Sequence, residues 1–186
     1  MLPKANRTVA NKVGAGLLKV LGWKVTGALP HKSKVIFAVA PHTSNWDFVI
    51  GVAAMYQLDL KISFLGKSAI FFWPLKPWLE SIGGIPVDRS SAHGVVGQMV
   101  DKFEQSEALA LALAPEGTRS KIKQWKTGFL HIAHQANVPV VPVSLDFKLK
   151  EVRFHPERII GDDIDGELAS IKQIFTAVCA KNPQAF

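Results

Sequence analysis

A histidine and an aspartate stand five positions apart in APHTSNWDF, residues 40–48, directly after an apolar run. An imidazole hydrogen-bonded to a carboxylate has one nitrogen fixed as donor and the other free to accept a proton. His42 is therefore a candidate general base, with Asp47 orienting the ring and stabilising its protonated form. Two further loops place polar residues after apolar runs: GGIPVDRS (83–90), with Asp88 and Arg89, and APEGTRS (114–120), with Glu116, Thr118 and Arg119 around Gly117. Arginine is a planar fork of donors that matches phosphate oxygens, and a glycine-centred turn lets backbone N–H groups approach an anion. Singly these signals are weak, because strand-end histidines are often structural and arginines often simply solvated. Together they describe a site that holds a phosphorylated molecule while a histidine takes a proton from it.

Other chemistries find less support. No Gly-x-Ser-x-Gly elbow is present, and the single cysteine, Cys179, falls on an apolar helical stripe with Leu168, Ile171, Phe175 and Val178, which reads as core. His131 and His134 have no acidic or cysteine companion beside them, so no metal site is expected. With neither a Walker loop nor a Gly-x-Gly-x-x-Gly turn, no nucleotide cofactor is expected.

The elements that must position these loops follow from hydrophobic period. Residues 7–22 read as a basic amphipathic helix, with Val9, Val13, Leu17, Val20 and Leu21 on one side and Lys12 and Lys19 opposite. Gly14, Gly16 and Gly22 weaken it, so it needs a surface to lie on, either the protein core or a membrane interface. Strands are expected at 35–40, 60–65, 84–87, 108–113, 138–145 and 151–154. Helices are expected from Ser44 or Asn45 to about Gln57, and over 91–105, 125–136 and 165–181. The segment 69–79, aromatic and twice broken by proline, reads as short helical pieces or loop. This alternation predicts an α/β fold with a mostly parallel central sheet flanked by helices. The expected organisation is a basic lead-in over 1–34 and an α/β domain over 35–186, forming one globular unit. In an open sheet of this kind ligands collect at the carboxyl ends of strands, where the three polar loops can converge.

Composition bounds the partners. The chain has 186 residues, 48% of them hydrophobic and 20% charged, a globular balance. Its net charge of +7 is uneven: no acidic residue precedes Asp47, while Lys4, Arg7, Lys12, Lys19, Lys24, Lys32 and Lys34 do. That suits an anionic surface. The basic residues are not interleaved with aromatics as a nucleic-acid stacking platform requires, so nucleic acid is not the expected partner. No secretory signal and no apolar run of about 18 residues is visible, so the chain is expected to be soluble or peripheral.

In order and spacing, His42-x4-Asp47, GGIPVDRS, PEGTRS and VPVVPV resemble the four motifs of the glycerolipid acyltransferases, most closely the 1-acylglycerol-3-phosphate acyltransferases. The resemblance spans residues 35–145. It implies the fold of glycerol-3-phosphate acyltransferases and direct acyl transfer without a cofactor. The donor would be acyl-CoA or acyl-carrier protein, and the acceptor a lysophospholipid hydroxyl deprotonated by His42. It further implies that Arg89, Glu116, Gly117, Thr118 and Arg119 bind the acceptor phosphate and that Pro142 lies on the acyl-donor side. Ala114 departs from the phenylalanine common in the family, which bears on the acceptor and chain length. A membrane-resident acceptor implies a peripheral enzyme at the cytoplasmic side of an anionic membrane. Lys12 and Lys19, with Phe71, Phe72, Trp73 and Trp78, would make that contact. Two readings stay open beside this one: the same base serving a non-phosphate lyso-lipid, and a non-enzymatic binder of anionic lipid or nucleic acid.

Overall fold

The computed structural model describes residues 1–87, 94–122 and 124–186. Seven strands form one sheet: β1 (Lys24–Thr26), β2 (Lys34–Ala40), β3 (Ile62–Lys67), β4 (Gly84–Val87), β5 (Leu109–Leu113), β6 (Val140–Asp146) and β7 (Glu151–Phe154). Their spatial order is β1-β7-β6-β2-β5-β3-β4, and among the described strands only β6 with β7 pairs antiparallel. The expected α/β class with a mostly parallel sheet is what forms.

Side-chain alternation along β2 shows why the sheet is buried on both faces. Val35 and Phe37 join a core with Leu18 of α1 (Thr8–Leu21) and Ile50, Ala53 and Ala54 of α2 (Asn45–Gln57). Ile36, Ala38 and Ala40 join the opposite core. Met99 and Phe103 of α4 (Gly94–Gln105), Phe129 and Ile132 of α5 (Gly128–Gln135) and Ile171 of α6 (Ile164–Lys172) complete that side. A short α3 (Leu75–Ser81) precedes β4.

The chain leaves β2 through α2 on one face and leaves the adjacent β5 through α5 on the other. Strands whose connections part in this way open a crevice at their carboxyl ends. The loops after β2 and β5 hold His42 and Glu116, so two of the candidate loops converge there.

Helix α1 meets the protein core through a face other than its valine stripe. Gly14 and Leu18 are buried, whereas Val9 (76% exposed), Val13 (59%) and Val20 (85%) point outward. The reason is steric: a Cβ at Gly14 would lie 2.6 Å from the Ala53 carbonyl oxygen and 2.7 Å from Tyr56 Cβ. The glycine permits close helix contact, and the valines lie on the other side of the cylinder.

Two expectations change. Strand β1 was not anticipated; it pairs with β7, Val25 opposite Val152. The last helix ends at Lys172, and Cys179 sits in a 3-10 turn (Ala177–Cys179) where its thiol donates to Asp146 Oδ2 at 3.1 Å. Cys179 is therefore half-buried at a polar contact and not on a helical stripe. Burial, opposed by the hydrogen bond to Thr176 and reinforced by that to Asp146, pushes its thiol above the ordinary range.

Candidate active site

The first loop is built by the start of α2. Ser44 is the N-cap, its Oγ accepting from Trp46 N–H at 3.1 Å, and Asp47 at the third helical position closes a capping box by accepting Ser44 N–H at 2.7 Å. The same oxygen, Asp47 Oδ2, also accepts Thr43 N–H at 2.7 Å and lies 3.2 Å from His42 Nδ1. A carboxylate in the first turn is favoured by the helix dipole. One side chain thus starts the helix and orients the ring. With Nδ1 turned to Asp47, Nε2 is left as the acceptor. The Asp47 side chain is buried, while that of His42 is 23% exposed and can be reached.

A second carboxylate holds the same histidine from behind. Glu116 is 4% exposed, and its Oε1 and Oε2 accept the His42 backbone N–H at 3.0 and 2.9 Å. Burial pushes its carboxyl up to about 7, opposed by the His42 N–H bond and ring and reinforced by Asp47. Here the Glu116 carboxylate faces inward and fixes the backbone that carries the base. Gly117 has φ +68°, the left-handed turn its glycine permits, and Thr118 and Arg119 beyond it are exposed at the rim.

The other expected residues are placed as follows. Arg89 and Asp88 lie outside the described residues; β4 ends at Val87, opposite Lys67. Pro142 is buried within β6, opposite Ala38. It sits one residue beyond the last β6–β7 pair, Val143 with Phe154, and its carbonyl accepts His155 N–H at 3.0 Å. Phe71 is half-buried, its ring over Gly66 and Gly84, because those glycines leave room for it. Phe72, Trp73 (84% exposed), Trp78, Lys12 and Lys19 are exposed.

Three features escaped the sequence reading. Besides the Glu116 brace, Asn182 holds the first loop: its N–H donates to Thr43 Oγ1 at 3.1 Å and its Nδ2 to the Thr43 carbonyl at 2.9 Å. At the end of β6, Ser144 lies 2.7 Å from His155 Nε2, and Ser144 is in register with Ala40. Burial first, then the charge of Arg153, holds the His155 imidazole below its ordinary range. These contacts join residues 11 to 139 positions apart, and no local pattern announces them. His134 contacts the Ile160 carbonyl and Asp162, and no group of three metal-ligating side chains occurs among the described residues.

The profile of the acyltransferase family matches residues 23–146. A 1-acyl-sn-glycerol-3-phosphate acyltransferase of Haemophilus influenzae is 28% identical over 137 residues, covering 68% of this chain and 55% of its own. The Escherichia coli protein of the same name is 30% identical over 114 residues, 56% of this chain and 44% of its own. The chain thus spans about half the length of the curated relatives it matches. Among solved structures, the 1-acyl-sn-glycerophosphate (LPA) acyltransferase of Thermotoga maritima superposes with a TM-score of 0.66 at 17% identity. That match covers 90% of this chain and 75% of the other, and it identifies a shared fold.

Proposed function

Because the chain belongs to the acyltransferase family, we propose that it moves a fatty acyl group from an acyl thioester to the free hydroxyl of a lysophospholipid. The acceptor class follows the relatives, which are named for 1-acyl-sn-glycerol-3-phosphate. The observation that carries this reading is the double grip on His42, with Asp47 Oδ2 at the ring and the Glu116 carboxylate at the backbone N–H.

In this mechanism His42 Nε2 takes the proton of the acceptor hydroxyl as its oxygen attacks the thioester carbonyl. Asp47 stabilises the imidazolium. The carbon–sulfur bond then breaks, and the departing sulfur takes that proton, leaving an ester, a free thiol and a neutral histidine. Arg119, exposed beyond the Gly117 turn, is suited to fork onto the acceptor phosphate, and Arg89 is assigned the same task from its motif. Its proposed location is the periphery of the cytoplasmic membrane face, where such an acceptor resides. No helix among the described residues is long and apolar enough to cross a membrane.

The test is transfer from acyl-CoA or acyl-carrier protein to a panel of lysophospholipids, read by mass spectrometry of products. His42→Ala is expected to cut kcat about 10²–10⁴-fold while keeping the wild-type circular dichroism. Wild-type turnover in that variant removes the mechanism. Arg119→Ala is expected chiefly to raise the KM for a phosphorylated acceptor; unchanged kinetics would remove the phosphate assignment.

A further inference from the structure

On the α2 side of the first loop lies a groove of about 450 Å³ that the mechanism above leaves unused. Its apolar walls come from Trp23, Trp46, Ile50 and Phe147, and its cations from Lys148, Lys150 and Lys181. No acidic side chain lines it among the described residues. The volume falls within the range of small-molecule sites.

Two of its walls belong to the reaction centre's own framework. Trp46 is the chain neighbour of Asp47, which orients the candidate base. Ala180, Lys181 and Pro183 flank Asn182, whose two hydrogen bonds hold Thr43. A molecule in the groove would therefore lie beside the loop that carries His42, on the face of the sheet covered by α1 and α2.

Its chemistry is selective. The Trp46 indole is 48% exposed and offers a flat surface to a planar ring. Phe147 meets Trp23 edge to face, centroids 4.8 Å apart, and Lys181 Nζ stands 5.7 Å over the Phe147 ring. Lys150 is tied to the Leu21 carbonyl at 3.0 Å, whereas Lys148 and Lys181 form no ion pair within 4.0 Å among the described residues. Cations without carboxylates, above an aromatic floor, match a ligand that joins a planar base to phosphates. The rounded acidic surface of a carrier protein would leave such a concave aromatic floor unfilled.

We propose that this groove seats the nucleotide end of acyl-CoA, the adenine against Trp46 and the phosphates against Lys148 and Lys181, so that the pantetheine arm leads the thioester toward His42. The inference rests on the acyl-transfer reading for its purpose, and its test is arranged so that the two can fail separately.

The first measurement is binding of CoA alone to the full chain by calorimetry, for the wild type and for Lys148→Glu combined with Lys181→Glu. The double variant is expected to bind CoA about tenfold or more weakly, since it replaces attraction with like-charge repulsion. The second compares transfer of one acyl group from CoA and from N-acetylcysteamine, a thioester without a nucleotide. The preference for the CoA donor, as a ratio of kcat/KM values, is expected to fall about tenfold in the double variant. Trp46→Ala is expected to weaken CoA binding in the same direction. Equal CoA affinity in wild type and double variant overturns the proposal, as does a wild type that ignores CoA and accepts only a carrier-protein donor. An equal loss with both donors also overturns it, because the lysines would then act elsewhere. A wild type that binds CoA through these lysines and acylates no lysophospholipid would sink the acyl-transfer reading and leave the groove assignment standing.

Discussion

Asp47 and Glu116 hold His42 at different atoms, the first at the ring and the second at the backbone N–H. Asp47 Oδ2 takes two backbone N–H groups as well as the ring, whereas Glu116 holds a single backbone N–H, and burial raises its carboxyl to about 7. In the unfolded chain that carboxyl would lose its proton near its ordinary 4.5. Between these two values the folded state binds the extra proton, so this group's contribution to stability falls as pH rises from 4.5 to about 7 and is level above. Glu116→Gln keeps an acceptor for the His42 N–H and removes the titration. Its stability relative to wild type is expected to rise across that window, by on the order of 3 kcal/mol at most, in urea melts run from pH 4.5 to 8. A flat difference would show that Glu116 does not titrate there. The Asp47 role was legible in the sequence, because His-x4-Asp overlaps a local capping signal. The Glu116 role was not, since its partner lies 74 residues away.

At the scale of elements, the sequence revealed periodic segments better than it revealed which face each would bury. The valines of α1 formed the more conspicuous stripe, yet close approach to α2 was decided by the absence of a side chain at Gly14. Two glycines in this helix therefore respond oppositely to alanine. Gly16 has nothing within 4 Å of a Cβ, so Gly16→Ala is expected to stabilise by about 0.5–1 kcal/mol through helix propensity. Gly14→Ala meets α2 backbone and is expected to destabilise by about 1–3 kcal/mol despite the same propensity gain. Thermal melts of the two variants check this; equal shifts would mean that α1 does not press on α2. Strand β1 escaped notice because three residues, only one of them strongly apolar, carry too short a pattern and depend on β7 for pairing. The last helix was drawn too long because its apolar stripe continues past Lys172, while Cys179 is claimed by Asp146 and its carbonyl by Phe147 N–H at 2.8 Å.

For the whole molecule, the outward valines of α1 acquire meaning beside the charge distribution. Lys12 and Lys19 flank them on the exposed side, and Arg7, at the start of α1, bonds the Ser81 carbonyl at the end of α3. Phe72, Trp73 and Trp78, on and before α3, are exposed as well. A monomer surface rarely leaves so many large apolar groups outward without a partner. Binding to vesicles rich in anionic lipid is expected to weaken as salt rises, each lysine near the surface contributing about 1 kcal/mol at low salt. Val13→Asp with Val20→Asp is expected to lower sedimentation with vesicles at every salt concentration, with the fold unchanged; wild-type sedimentation would exclude α1 from the contact. The α/β class was legible in the sequence because fully buried strands make continuous apolar runs. The strand order was not, because pairings such as β2 between β5 and β6 are settled only by packing.

The box formed by Ser44 and Asp47 ties the aim of the imidazole to the first turn of a helix, and helix ends fray before cores melt. On heating, the opening of that one turn would release the ring from its carboxylate while the sheet stays folded. Under the proposed mechanism, activity is expected to be lost reversibly at a temperature below the cooperative transition, which would make the onset of α2 its thermostat.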